Sequence, residues 1–480
     1  MQNLLIRWVL TPLNKLMNKL PWKFRDFMFL TGGIGVIGHS FLNNMNLVNY
    51  RFLYFFAISC VFLGLMILGG MGTEVKPVRF NRFLSICWFG VGVMMLQSGI
   101  RNNIDYLPEA MLLLVAYPVL HISWSNGDRQ RIFQLLLALC RISGWIFALG
   151  SFLLAQIIPA RYAGIFTNTN MAAYTLAVIF AGITMHILYT PFSWKQAPDI
   201  LLLGIVVALN YYTNSRTGVL SILLVTVASL GMYALTHKWK DTVKCVPKLA
   251  ACAAASLICA SSLVFVFQLR IYLPLPYLDL TTGTLYYLPP PSQGNIPPDS
   301  TTPDDTVGPT QPQDSSTQPQ DHTQPTFFDT HEFDNLNDIK TDHSNKTLDQ
   351  YSTGRLTIWK AYASNLNLLG HATTESVYVD MLYKDIHSTH MTILQVAYDS
   401  GILAGVLYLL LNLGTGIGGI WFAWNHRNES YALVPLMFTL VFGVLSVLGS
   451  CAVSFWYPTT FFYYLVQFPI ITSLPEQKRA

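Results

Sequence analysis

Charged side chains are scarce along this chain of 480 residues. They make up 11% of the residues, whereas hydrophobic residues make up 52%. A water-soluble domain carries about a quarter charged residues, and soluble cores stop growing beyond roughly 250–300 residues. The composition therefore excludes an ordinary soluble protein, and it favours a chain whose apolar faces are covered by lipid.

Strong net charge and disulfide-forming cysteines are also missing. The net charge of +4 is too small to predict a nucleic-acid partner, and the basic residues lie in short loops. None of the seven cysteines falls in the long polar segment 269–389, so a disulfide framework on an oxidising side is excluded. They are predicted to be small packing residues: Cys60, Cys87, Cys140, Cys245, Cys252, Cys259 and Cys451.

Long apolar runs predict an all-α polytopic membrane protein with about twelve transmembrane helices. Each run approaches the roughly 20 residues needed to cross a bilayer. The predicted spans are 25–44, 50–70, 80–99, 107–124, 131–157, 169–190, 197–213, 216–237, 246–268, 390–422, 431–453 and 457–475. The tenth is overlong, and its glycines between 414 and 419 predict a bend or a break.

Basic residues in every second loop predict the orientation, because short cytoplasmic loops are enriched in Lys and Arg. The basic clusters lie within 7–25, 76–82, 129–131, 195, 238–248, 427 and 478–479. Both termini are therefore predicted to be cytoplasmic, with a large extracytoplasmic loop between helices nine and ten. The expected location is the cell inner membrane or the plasma membrane.

Composition divides the chain into four parts. Residues 1–268 form a membrane domain with the first nine spans, and residues 390–480 form one with the last three. Between them, 269–346 is rich in Pro, Ser, Thr and Gln and is predicted to be largely disordered. Residues 347–389 regain apolar residues at helical spacing and are predicted to fold over the membrane.

The outward segments carry a few isolated polar residues that predict an anion-binding site. Arg161 and Arg216 are the single charges in their short loops, and His387 and His390 lie where the chain re-enters the membrane. Guanidinium groups match phosphate oxygens bidentately. For each arginine taken alone, a snorkelling anchor is the simpler interpretation, and it is preferred for Arg51 and Arg101.

Three short motifs in fixed order strengthen the prediction. The first is Arg161-x-x-Gly with Asn168-x-Asn170, and the second is Ser215-Arg216-x-Gly at the start of a span. The third has His390 at the end of the large loop, with Asp399 nine positions later and glycine at eleven. A further element upstream contains Gly354, Arg355 and Trp359.

With these motifs, the chain resembles the O-antigen ligase and polymerase superfamily of bacterial surface-glycan assembly, from about residue 160 to 412 without the Pro-rich insert. It departs from the family in Met391, where Asn, Ser or Gln usually follows the histidine. The spacing to the acidic residue and the glycines fits His390 better than His387. His387 is predicted one turn earlier on the same helical face.

The resemblance implies a donor built on undecaprenyl diphosphate, with the paired arginines on the diphosphate and His390 assisting the acceptor hydroxyl. The other expected substrate-binding residues are Asn168, Asn170, Ser215, Arg355, His387 and Asp399. No metal or other cofactor is expected. The acceptor, which could be a glycan, a lipid or a protein, is left open, as is the choice between ligase and polymerase.

Two alternatives remain open from the sequence. Asp399 is either a partner for a cation of the site or a helix–helix hydrogen-bonding group, because an unpaired carboxylate in an apolar helix is costly. The whole protein is either an enzyme or a transporter of the same lipid-linked glycan. Cations near the outer edge favour an enzyme, whereas Arg141 in the middle of the fifth span suits a transporter.

Overall fold

The computed structural model of the chain describes residues 2–45, 52–101, 104, 106–154, 162–237, 242–271, 276–279, 284–287, 354–372, 375–379, 384–451 and 456–474. These residues are mostly helical. The helices of the first half are α1 Gln2–Leu5, α2 Thr11–Met17, α3 Trp22–Asn44, α4 Phe52–Gly70, α5 Arg82–Arg101, α6 Tyr106–Met111, α7 Tyr117–Ser125, α8 Arg129–Leu154, α9 Thr169–Tyr189 and α10 Ala197–Tyr212. Those of the second half are α11 Arg216–Thr236, α12 Val246–Ile271, α13 Arg355–Ser364, α14 Thr392–Ser400, α15 Ile402–Asn425, α16 Val434–Leu448, α17 Pro458–Val466 and α18 Phe468–Ile471.

Short strands form three antiparallel pairs among the described residues. They are β1 Arg79–Phe80 with β6 Thr472–Ser473, β2 Pro276–Asp279 with β3 Thr284–Tyr287, and β4 Val377–Val379 with β5 Lys384–Ile386. The pair β2–β3 lies inside 269–346, a segment predicted to be largely disordered. Apart from residues 269–271 at the end of α12, the hairpin is the part of that segment that the structure describes, and it was not predicted there.

The protein is a multi-pass membrane protein by the length and composition of its helices. Within the described residues, seven helical segments are long and apolar enough to cross a bilayer: Arg82–Arg101, Tyr106–Ser125, Arg129–Leu154, Thr169–Tyr189, Arg216–Thr236, Val246–Leu263 and Ile402–Asn425. Two shorter apolar helices are Phe56–Gly70 and Val434–Leu448. Helices α3, α10 and α17 lie at the other three predicted spans. The count of twelve crossings stays a prediction.

The predicted tenth span is broken, and the break is not in its glycine-rich part. Helix α14 ends at Ser400, and α15 then runs without interruption through the glycines between 414 and 419. The break is at Gly401, whose φ is +98°. A Cβ there would lie 2.1 Å from the carbonyl oxygen of Leu368, so the loop packed against this residue fixes the position of the break.

Helix ends meet in two groups, as alternating spans require. In one group, the Thr167 N–H donates to the Asn44 carbonyl at 3.0 Å, and the Asn44 amide donates to the Trp456 carbonyl at 3.1 Å. The Tyr162 N–H likewise donates to the Tyr212 carbonyl at 3.0 Å. We call this group the outer end, because the basic residues predict that it faces outward.

The other group, the inner end, is where the predicted cytoplasmic loops meet. The Asn126 amide donates to the Lys76 carbonyl at 3.0 Å, and Arg129 pairs with Glu429 at 3.3 Å. Lys248 is buried, and its ammonium donates to the Ile187, Leu188 and Thr190 carbonyls at 2.6–3.2 Å. It thereby satisfies carbonyls that the end of α9 leaves open.

Helix α9 is the centre of the bundle. Of its most apolar stretch, 94% is buried within the protein, and it packs against α8, α10, α11, α16 and α17. Because α9 is surrounded by other helices, its first residues at the outer end lie in the middle of that surface.

All seven cysteines are free, and five of them are buried.

A small folded unit covers part of the outer end. Helix α13 and strands β4 and β5 share an apolar core with α14, in which Ile358, Tyr362, Val377, Ile386 and Tyr398 are buried. The Tyr362 hydroxyl donates to the Ile386 carbonyl at 2.6 Å. This unit holds the chain on both sides of the third motif.

Candidate functional site

The first motif begins outside the described residues, because Arg161 is not among them. The described remainder forms a turn at Gly164, with φ +64°, that leads into α9. Asn168 caps this helix, and its side-chain oxygen accepts the Asn170 N–H at 2.8 Å. Asparagine is a favoured N-cap residue because it satisfies one of the free N–H groups of the first turn.

The second motif caps another helix at the same place. Ser215 is the N-cap of α11 and accepts the Gly218 N–H at 3.4 Å. Arg216 is the first residue of α11, and its side chain is exposed at the outer end. The residue before the cap, Asn214, has a left-handed backbone with φ +53°, a conformation that asparagine tolerates better than most residues.

The two motifs are in direct contact. The Ser215 hydroxyl donates to the Asn170 side-chain oxygen at 3.2 Å, across 45 residues of sequence. The N-termini of α9 and α11 are therefore neighbours, and each end carries partial positive charge from its unpaired N–H groups. An exposed arginine beside two adjacent helix N-termini is a favourable environment for an anion.

The third motif reaches the same region through the end of α16. The Thr392 hydroxyl donates to the Gly449 carbonyl at 2.9 Å, and Arg355 donates to the Leu448 carbonyl at 2.9 Å. Tyr174, one turn along α9 from Asn170, also lies against Gly449. A Cβ added at Gly449 would be 2.0 Å from the Tyr174 hydroxyl oxygen, so the two are tightly packed.

His390 is not on a helix, and the predicted placement of His387 one turn earlier on the same helical face is wrong. His390 has φ +52° and lies two residues before α14 begins. His387 is exposed in the short segment between β5 and α14. The helix does not start earlier because His390 is left-handed and Met391 is extended, with φ −146° and ψ 114°. The Thr389 N–H donates to the Gln395 side-chain oxygen at 2.9 Å, which links this turn to the first turns of α14.

The backbone of His390 is held in place by its neighbours. The Thr389 hydroxyl donates to the Met391 carbonyl at 2.8 Å, and the Trp359 indole donates to the Thr389 carbonyl at 2.9 Å. The His390 N–H donates to the Ser388 hydroxyl oxygen at 3.3 Å. Left-handed backbone outside glycine persists where the surroundings impose it, and such positions cluster at functional sites.

Asp399 is buried at the outer end, and its carboxylate accepts hydrogen bonds from two neutral side chains. The Tyr106 hydroxyl donates to its carboxylate at 2.6 Å, and the Gln395 amide donates at 2.9 and 3.0 Å. Its backbone carbonyl accepts the Ser98 hydroxyl at 2.6 Å. These contacts join α14 to α5 and α6, as the helix–helix interpretation of Asp399 predicts.

Arg141, the residue that suited a transporter, has a specific partner. Its guanidinium donates to the Asp199 carboxylate at 2.5 Å, and His186 lies 3.4 Å from the other oxygen. Asp199 is 2% exposed at the first turn of α10, toward the inner end. Pairing reduces the cost of placing these groups in a bilayer, so Arg141 is accounted for without a substrate.

Sequence reasoning named candidate site residues but missed the groups that connect the motifs. Tyr174, Gly449 and Thr392 connect the first and third motifs, yet each is an ordinary residue in an apolar segment. The described residues hold no group of three or more His, Cys, Asp or Glu side chains arranged to bind a metal ion.

Comparison of the chain with models of protein families, with curated proteins and with solved structures finds no match. The family resemblance therefore depends on the three sequence motifs alone.

Proposed function

We propose that the chain is a membrane glycosyltransferase. It transfers or polymerises an undecaprenyl-diphosphate-linked glycan on the outer side of the cytoplasmic membrane, as a surface-polysaccharide polymerase or ligase. The arginines bind the diphosphate, and a histidine activates the acceptor without a metal.

The hydrogen bond between Ser215 and Asn170 is the observation that carries the proposal. It joins two of the three motifs, and it sets Arg216 beside the starts of α9 and α11. A helix N-terminus stabilises an anion by about 0.3–1 kcal/mol at an exposed site and by up to roughly 2 kcal/mol when partly buried. The bidentate fork of Arg216 adds charge-assisted hydrogen bonds to phosphate oxygens.

The outer unit supplies the histidine and a further arginine. Thr392 and Arg355 both bind the end of α16, which packs on Tyr174 of α9. His390 lies two residues before Thr392, which binds the end of α16. That same end of α16 adjoins the first motif. Arg355 is the first residue of α13, and it holds that helix at the end of α16. We assign Arg355 to the part of the site that binds the sugar diphosphate.

The chemistry requires one bond to form and one to break. The acceptor hydroxyl oxygen attacks the anomeric carbon, and the bond from that carbon to the diphosphate oxygen breaks with its electron pair. Undecaprenyl diphosphate leaves, and its added negative charge is stabilised by the fixed cations and helix ends. The imidazole of His390 accepts the hydroxyl proton, which a group titrating near neutrality can do at physiological pH.

The alternative is a transporter of the same lipid-linked glycan. Reconstituted protein separates the two functions. Vesicles with the oligosaccharide donor in one leaflet are supplied with acceptor, and the lipid products are then analysed. Glycosyl transfer predicts free undecaprenyl diphosphate and a longer or newly linked glycan. Recovery of intact donor in the opposite leaflet, with no diphosphate lipid released, would instead establish transport.

A further inference from the structure

A turn in the outer unit presents two leucines away from the protein. Leu368 is 71% exposed and Leu369 is 50% exposed. Single exposed leucines are common on protein surfaces and need no explanation. This adjacent pair differs from single exposed leucines in two features, which are the hydrogen bonds that fix its turn and the position of that turn.

Hydrogen bonds fix the conformation of the turn. The Asn367 side-chain oxygen accepts the Leu369 N–H at 3.0 Å and the Gly370 N–H at 2.5 Å. The Asn367 amide lies 2.9 Å from a ring nitrogen of His371. Gly370 has φ +83°, which a side chain would strain. The leucines are therefore held outward by a defined turn stabilised by an Asn side chain.

The turn lies at the start of a membrane-spanning segment. The Ile402 N–H donates to the Asn367 carbonyl at 2.9 Å, and the His371 N–H donates to the Tyr398 carbonyl at 2.9 Å. Ile402 is the first residue of the span Ile402–Asn425. Leu403, next to it, is 49% exposed on the surface of the bundle, where lipid covers apolar side chains.

The exposed apolar surface of the neighbouring helix α5 indicates that lipid reaches the level of this turn. Ser98 in the last turn of α5 binds the Asp399 carbonyl at 2.6 Å, so the outer end of α5 is level with the break at Gly401. Ile100, in that same turn, is 72% exposed. Segment 364–370, SNLNLLG, has no charged residue that would oppose contact with acyl chains.

We infer that Leu368 and Leu369 form a membrane anchor that inserts into the acyl region of the adjoining leaflet. The occupant is bilayer lipid, because the turn is bonded to the first residue of a span. The anchor holds α13 and the segment before α14 at the membrane surface. It depends on the position of this turn, and not on the proposed reaction.

A photoreactive benzophenone amino acid at 368, and separately at 369, tests the anchor in full-length protein reconstituted into phosphatidylethanolamine–phosphatidylglycerol vesicles. The matched control is the same residue at 378. Tyr378 is 54% exposed in the same outer unit, but it pairs with the exposed Asp385 and so faces water.

After irradiation, phospholipid adducts are counted by mass spectrometry of the intact protein. Several-fold more lipid adducts at both 368 and 369 than at 378 are expected. Equal labelling at the three positions would overturn the anchor. So would adducts at 368 and 369 formed with a second copy of the chain in place of lipid.

Discussion

At the scale of single residues, the proposed chemistry depends mainly on Arg216 and His390. Arg216 is exposed at the first position of α11, next to the contact between Ser215 and Asn170. His390 has a left-handed backbone imposed by the bonds of Thr389. Neither feature is needed to bury an apolar face.

We expect Arg216→Lys to lower glycan transfer by at least about tenfold, because lysine keeps the charge but loses the bidentate fork, and charge-assisted bonds contribute roughly 1.5–3 kcal/mol each. Arg101→Lys is the matched control, since Arg101 is also exposed at the outer end of a span and is expected to be a snorkelling anchor. Initial rates on the lipid-linked donor measure both. Equal rates for the two variants would identify Arg216 as an anchor too.

His390→Ala is expected to reduce turnover by roughly 100- to 10,000-fold, the usual contribution of a general base. Donor binding should be retained, because in the proposed mechanism the arginines bind the diphosphate. His387→Ala is the comparison, and a milder loss is expected since His387 is exposed in the segment between β5 and α14. Turnover and donor affinity are measured separately for each variant. If His390→Ala weakened donor binding and left turnover unchanged, the assigned role would be wrong.

At the scale of elements, the junction between α14 and α15 depends on the loop packed against it. Gly401 lies against the Leu368 carbonyl, and Gly370 lies against the Asp399 carbonyl. The two glycines allow backbone segments to approach more closely than a Cβ permits. This contact ties the outer unit to the membrane bundle.

Gly401→Ala is therefore expected to destabilise the protein, because the added Cβ would meet the Leu368 carbonyl at 2.1 Å in a backbone with φ +98°. Strain of this kind costs on the order of 1–3 kcal/mol. Gly416→Ala in the same segment is the control, since nothing lies within 4 Å of its Cβ position. Alanine should there be neutral or stabilising by up to about 1 kcal/mol. Thermal unfolding in detergent compares them, and an equal midpoint for both would contradict the packing at Gly401.

Helix positions were predictable because long apolar runs determine them locally. Each predicted span overlaps at least one described helix, although the tenth is broken at Gly401 and only some of these helices are long and apolar enough to cross a membrane. The break at Gly401 was not predictable, because it is set by a carbonyl 33 positions away in sequence. The same holds for Asp399, whose hydroxyl partner Tyr106 is 293 residues distant.

At the scale of the whole molecule, helix ends meet in an outer and an inner group. The predicted outward loops contact one another through Asn44, Thr167 and Trp456, and the predicted inward loops do so through Lys76 and Asn126. One span added or removed would place some of these ends on opposite sides. The contacts therefore agree with the occurrence of basic residues in every second loop. Which group of helix ends faces the cytoplasm is predicted from those basic residues.

Reporter fusions test which side of the membrane each of these loops faces. A fusion at Ser315 is expected to report an extracytoplasmic position, and fusions at Lys240 and Ala480 are expected to report cytoplasmic ones. These three positions lie outside the described residues, so the expectation comes from the positive-inside bias. A cytoplasmic signal from Ser315 would invert the orientation and remove the site from the side where the donor is presented.

The central claim is that the three motifs form one site for a glycosyl diphosphate lipid. A donor analogue with a photoreactive group next to the diphosphate tests this most directly in reconstituted protein. Adducts are expected in three separate peptides, those containing 161–170, 215–218 and 387–392, and they should be displaced by excess unlabelled donor. Displaceable adducts confined to the region of Arg141 and Asp199, with none in these peptides, would contradict the account.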